Sequence, residues 1–190
     1  MKICFSFLAT LAFVQGDMYD LPDFVEKCTV TGGPHGRPFD DTSMVVPGQK
    51  VTKITLCHGD RVDGIGITFV PPEGMSQDPF HGSKNKCHDH DLASDEYIKY
   101  FEVQTTKTST TRIGYIRLMT NTGRYIEGGK ERKGTAKKEG CKAPDDNHQL
   151  AAFFGREGEE IDAIGPVWTL RNPVEVVPGQ PPSGPEQKML

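Results

Sequence analysis

Two stretches of this chain repeat one arrangement: Gly59-Asp60-Arg61-Val62-Asp63-Gly64-Ile65-Gly66 and Gly158-Glu159-Glu160-Ile161-Asp162-Ala163-Ile164-Gly165. Each reads Gly, three residues, Asp, one small residue, Ile, Gly. Glycine lets a chain bend tightly and leaves backbone N–H groups uncovered. The aspartate four positions on adds two acceptor oxygens to the same loop. Donors beside a carboxylate match vicinal hydroxyls, each of which both gives and accepts a hydrogen bond, so a sugar is a natural ligand. The alternative is that Asp63 and Asp162 only cap their own turns. Repetition weakens that alternative, although a repeated fold would also repeat its structural turns.

Other reactive groupings point elsewhere. Cys87-His88-Asp89-His90-Asp91 carries zinc-ligand types, but no second ligand group follows at a metal spacing, and no metal is predicted. Glu159, Glu160 and Asp162 gather carboxylates on one tight loop, whereas a glycosidase needs two on opposite sides of the scissile bond. No nucleophile-elbow, zinc-protease or phosphate-loop pattern occurs, so neither catalysis nor a cofactor is expected.

The elements that must position the two turns lie between distinctive ends. Residues 1–16, with Lys2 before an apolar run from Ile3 to Val14 and a small residue at Gly16, read as a secretory signal peptide. The run is too short to cross a bilayer, and no membrane insertion is expected. Residues 17–28 form an acidic lead-in, and 172–190 a Pro-rich tail expected to be disordered. The 22 basic and 26 acidic side chains give a formal charge of −4, and loss of Lys2 makes it one unit more negative. A nucleic-acid or anionic-membrane ligand needs a basic face, so both are disfavoured.

Cys4 leaves with the signal peptide, and Cys28, Cys57, Cys87 and Cys141 remain in an exported, extracellular chain, which implies two disulfides. Three connectivities are open. Cys57 with Cys87 and Cys28 with Cys141 is preferred, because the first links neighbouring segments and the second ties the N-terminal arm to a long loop.

Between the ends, apolar residues alternate: Thr52, Ile54 and Leu56; Ile65, Ile67 and Phe69; Phe101 and Val103; Ile116 and Leu118. Turn residues break the runs about every ten positions and no helical periodicity intervenes, so an all-β sandwich, barrel or prism follows. Residues 128–148, with Lys130, Arg132, Lys133, Lys137 and Lys138, read as a solvated loop, with contact to an acidic glycan as the alternative.

With these residues in view, the chain resembles a jacalin-related lectin over about residues 29–170. The resemblance rests on Gly32-Gly33-Pro34-His35-Gly36, Pro38-Phe39-Asp40-Asp41, residues 51–69, Asp95-Glu96-Tyr97-Ile98, Leu118-Met119-Thr120-Asn121, and Phe153-Phe154-Gly155-Arg156 through Asp162-Ala163-Ile164-Gly165. It implies one lectin domain over 29–171, a β-prism of three four-stranded Greek-key sheets about a pseudo-threefold axis. It also implies a primary sugar site of Gly36, Gly158, Glu159, Glu160 and Asp162, with the Glu159 and Glu160 N–H groups as donors.

A secondary site would use Gly59, Asp60, Arg61, Asp63 and Gly82. A third glycine pair, Gly128-Gly129, lacks a matching Gly-x-x-x-Asp turn and is assigned no site. Galactose-preferring relatives are cleaved ahead of the loop glycine and carry aromatics in the aspartate loop. Here Gly36 is internal and Glu159-Glu160 replaces aromatics, which favours mannose or glucose-type glycans or cell-wall polysaccharide. The paired glutamates would repel anionic glycans. Two sites per chain, or homo-oligomers, would supply avidity. The competing expectation is a protein-interaction module, such as a secreted effector, built on the same prism without sugar binding.

Overall fold

The structure, a computed structural model, describes residues 21–106, 112–132 and 138–173. The stretch expected to be a signal peptide, the first residues of the lead-in and all but residues 172–173 of the tail lie outside this range. Thirteen strands follow in order: β1 Val25–Lys27, β2 Thr31–Gly32, β3 Arg37–Asp40, β4 Lys50–His58, β5 Val62–Val70, β6 Phe80–Gly82, β7 Cys87–Asp91, β8 Ile98–Thr105, β9 Ile113–Thr120, β10 Tyr125–Gly129, β11 Lys138–Lys142, β12 His148–Glu157 and β13 Ile161–Leu170.

They form three antiparallel sheets. The second is ordered β6-β5-β4-β7 and the third β10-β9-β8-β11. In the first, β1 and β2 pair successive stretches of one edge of β13, so the order is β1/β2-β13-β12-β3. Each sheet has a central hairpin, the following strand beside its second member and a returning strand beside its first, which is the Greek key. In the first sheet the three outer strands, β1 and β2 on one side and β3 on the other, come from the N-terminal end of the domain, so the domain's two ends close into one unit.

The hairpins repeat in detail. Register shifts fall between Val51 and Lys53, Ile98 and Tyr100, and Leu150 and Ala152, and again next to each turn at Cys57/His58, Gln104/Thr105 and Arg156/Glu157. Such bulges add twist and bend, which three sheets need in order to wrap round one axis. The expected inward face of β4 is corrected here. The bulge at Thr52 turns Val51 into the core, where it is buried, and leaves Thr52 half-exposed.

The other alternating residues do meet as read. Ile54, Leu56, Ile65, Ile67, Phe69, Phe101, Val103, Ile116 and Leu118 share one core with Phe153, Ile161, Ile164 and Trp168. Burying each large apolar side chain contributes about 1.5–3 kcal/mol, and this core holds the three sheets together.

Two further expectations change. The acidic lead-in supplies β1, paired to β13 from Val25 to Lys27. The segment read as a solvated loop contains Gly128 and Gly129, which end β10, and Lys138, which begins β11 and reaches Glu102 at 2.9 Å. Lys133 and Lys137 lie outside the described residues.

Both preferred disulfides are formed. Cys57 and Cys87 are directly opposed on β4 and β7, and Cys28 ties the first sheet to Cys141 in β11 of the third. The indole N–H of buried Trp168 lies 3.1 Å from Cys28 Sγ and 3.3 Å from Cys141 Sγ.

Between the second and third sheets, Arg124 grips Glu96 with two parallel bonds, Nε to Oε1 and Nη2 to Oε2, each 2.8 Å, and Nη2 also donates to the Asp91 carbonyl. This fork holds the Glu96 carboxyl at about 2, below its ordinary 4.5. A carboxylate that ionises more easily when folded stabilises fully above about pH 4.5, and that contribution disappears as pH falls toward 2. We expect the thermal midpoint to drop across this window and the drop to be shallower in Arg124→Ala, as followed by circular dichroism at stepped pH.

Candidate functional site

The repeated Gly-x-x-x-Asp stretches are the turns of the β4–β5 and β12–β13 hairpins. They close alike: Gly59 N–H donates to the Arg61 carbonyl at 3.1 Å, and Gly158 N–H to the Glu160 carbonyl at 2.9 Å. The third hairpin, β8–β9, has a longer connection over residues 106–112, of which 107–111 lie outside the described residues.

Asp162 is the second residue of β13. Its carboxylate is 8% exposed and lies beside two glycines of different segments. A Cβ on Gly158 would sit 3.6 Å from Oδ2, and one on Gly36 would be 2.5 Å from the same oxygen. Gly36 also has a φ of +69°, so both backbone conformation and space require glycine there. The loop carrying it is pinned by Arg156, whose Nε donates to the His35 carbonyl at 2.8 Å and Nη2 to the Gly36 carbonyl at 2.7 Å. Among the described residues, the cation in ion-pair range of the Asp162 carboxylate is Arg112, whose Nε lies at 3.8 Å, beyond hydrogen-bond reach.

Gly158 and Glu159 are exposed, and Glu160 is half-buried because its carboxylate is engaged. Arg61 Nη2 and Arg112 Nη1 each lie 2.9 Å from it, on different oxygens. The expectation that paired glutamates repel anionic ligands is thereby revised. Glu160 is neutralised by two guanidiniums, and Glu159 alone projects outward. The turn is also tied through Ser83 Oγ, which donates to the Glu159 carbonyl at 2.8 Å.

The structure brings Gly36, Gly158, Glu159, Glu160 and Asp162 together. The secondary group is less complete. Gly59 and Asp60 are exposed, and Asp63 is half-buried at the start of β5. Gly82 packs on the backbone of Asp63 as Gly32 packs on that of Asp162: Ser83 N–H donates to the Asp63 carbonyl and Gly33 N–H to the Asp162 carbonyl, both at 2.9 Å. Gly82 therefore corresponds to Gly32. The residue before β7 that shares Gly36's left-handed backbone is Lys86, at φ 52°, so a long cation stands where the primary loop has no side chain. Arg61 is turned toward Glu160.

The third copy explains itself in the same way. Lys130 N–H donates to the Gly114 carbonyl at 2.9 Å, so Gly114 occupies the place of Asp162 and Asp63 and offers no carboxylate. Sequence reasoning noted the glycine loop of this copy, Gly128-Gly129, and assigned it no site, but it did not locate the turn facing that loop and so missed Arg112. Its signal was faint: Ile113 and Ile116, both buried, match Ile161 and Ile164, but the glycine, the aspartate and the turn length are all different.

In the Cys87–Asp91 run, strand alternation separates the would-be metal ligands. Cys87 is in a disulfide, His88 lies against His58 with ring centroids 5.6 Å apart, and Asp89 accepts from Thr55 at 2.6 Å on the other face.

Three Greek-key sheets round one core, with hairpin turns gathered at one end, define the β-prism lectin class. The model of the jacalin-like lectin domain matches residues 28–167, and the chain belongs to that family, which is non-catalytic. The "Secreted RxLR effector protein 19" of Plasmopara viticola is 38% identical over 170 residues, covering 88% of this chain and 94% of that protein. Malaysian banana lectin is 27% identical with a TM-score of 0.62, covering 77% of this chain and 99% of that one. Artocarpin, solved with mannotriose, shares the fold at 22% identity and a TM-score of 0.60, over 78% of this chain and 100% of that one.

Proposed function

We propose that this chain is a secreted lectin that takes mannose- or glucose-type glycans, including cell-wall polysaccharide, between the turn at 158–160 and the loop at Gly36. The observation that carries the reading is the Asp162 carboxylate, which is largely enclosed and has no hydrogen-bond donor from the protein among the described residues. It faces a glycine whose missing side chain leaves room. A carboxylate held largely out of water can exchange the little solvent that reaches it for a pair of sugar hydroxyls, which it accepts through both oxygens. The Glu159 and Glu160 N–H groups supply the donors. Relatives solved with mannose-type ligands and the effector named as secreted support the ligand class and the export, as do the two disulfides.

A shallow site for one sugar ring binds at about millimolar affinity, near −4 kcal/mol. Useful avidity then comes from multivalency. The turn at 59–61 with Asp63 is the weaker partner, because Lys86 crowds its facing loop. We expect Asp63→Ala to reduce retention on a mannan column while leaving calorimetric binding of methyl α-mannoside unchanged. Equal loss of both would contradict the ranking of the two sites.

A glycan array with the mature protein tests the reading as a whole. Signal on mannose or glucose-containing glycans is the expected result. Silence on every glycan, with the protein folded, would overturn it in favour of a protein-binding effector, the reading that the Plasmopara viticola relative favours.

A further inference from the structure

Arg61, Arg112 and Glu160 occupy the same place in three hairpins, each immediately preceding the second strand of its pair: β5 at Val62, β9 at Ile113 and β13 at Ile161. Pseudo-threefold symmetry therefore points all three side chains at one another. Two are arginines and one is a glutamate, and they meet as a clamp, with Arg61 Nη2 to Glu160 Oε1 and Arg112 Nη1 to Glu160 Oε2 both at 2.9 Å. The glutamate belongs to the turn proposed to hold sugar. The arginines come from the other two sheets.

We propose that Arg112 and Arg61 are positioning residues for the sugar site, acting through the Glu160 carboxylate. This rests on the lectin reading above. Each oxygen of Glu160 faces an arginine at ion-pair distance, Oε2 without a hydrogen bond, so the side chain is tethered by charge and its backbone N–H is what remains for a ligand. A three-residue turn with exposed Gly158 and Glu159 has little packing of its own. Fixing Glu160 from two sides, and the Glu159 carbonyl through Ser83, sets the direction of both N–H donors before ligand arrives. Preorganised donors bind more tightly because less ordering is left to do on association. Arg112 also lies 3.8 Å from Asp162, so the same cation neighbours the acceptor. Because Arg61 stands in the β4–β5 turn, the weaker loop shares a residue with the stronger one, and the two are coupled.

The test is calorimetric titration of methyl α-mannoside into wild type, Arg112→Ala, Arg112→Lys, Glu160→Gln and the Arg112→Ala/Glu160→Gln double variant, with thermal midpoints measured alongside. We expect Arg112→Ala to weaken binding about fivefold at unchanged stoichiometry, Arg112→Lys to recover part of it, and the double variant to be no weaker than Glu160→Gln, the non-additivity of residues acting through one contact. Raising salt should weaken wild type and leave the double variant unchanged. Wild-type binding that Arg112→Ala leaves intact, or losses that add in the double variant, would overturn the positioning role. Absence of wild-type binding would instead overturn the lectin reading, and this inference with it. Should Arg112→Ala fail to fold, Arg112→Lys and Glu160→Gln still decide the matter.

Discussion

Asp162→Ala is expected to remove measurable binding of mannose- and glucose-type ligands while leaving the fold intact. A hydrogen bond to a charged acceptor is worth about 1.5–3 kcal/mol, and the carboxylate can accept more than one. Starting from millimolar affinity, loss of even one such bond weakens binding by roughly tenfold or more and takes it out of calorimetric range. Stability should change little, because the carboxylate receives no hydrogen bond from the protein among the described residues and truncating it strands no donor. Asp162→Asn keeps the shape and one acceptor oxygen, and it should bind more weakly than wild type but better than alanine. Unaltered binding in Asp162→Ala would show that the ligand is held elsewhere.

The second large effect is on stability. Replacing Cys28 and Cys141 by serine opens a cross-link spanning 113 positions, and on a chain-entropy account this costs about 4–5 kcal/mol. Opening Cys57–Cys87, which spans 30, should cost about 1 kcal/mol less. Urea melts of the two double-serine variants give the comparison. The chain's one tryptophan, Trp168, touches both sulfurs of the longer cross-link, and disulfides quench indole emission. Emission should therefore rise in the Cys28→Ser/Cys141→Ser variant under native conditions and stay unchanged in the other. A variant lacking Cys28 and Cys141 that melts with wild type would contradict the estimate.

Much of this architecture was legible from alternation alone. Ile54 with Leu56, Ile65 with Ile67 and Phe69, and Phe101 with Val103 declare strands, because a period of two has few other causes. The sheet order was not legible that way and came from family resemblance. The exchange of Thr52 for Val51 was hidden because a bulge shifts a strand by one residue without marking its composition. β1 and β11 were missed because edge strands with one exposed face carry charged residues, and Glu26, Lys27, Lys138 and Glu139 look like loop.

The residues of the site show the same division. Gly158 and Asp162 are visible as a motif, since both belong to one turn. Their relation to Gly36 required the family pattern. Arg112 was invisible, because its partner Glu160 lies 48 positions away in sequence and the two share nothing until the sheets close round the axis.

All three hairpins turn at the same end of the prism, close enough for residues of each to touch. Whatever those turns hold is approached from a single direction. If those turns hold glycans as proposed, a lone chain would sit on one cell surface like a cap and would not agglutinate cells, since among the described residues both Gly-x-x-x-Asp turns lie at this one end. Clumping of mannan-coated beads would therefore report a back-to-back assembly of chains, and adhesion without clumping would report a solitary one.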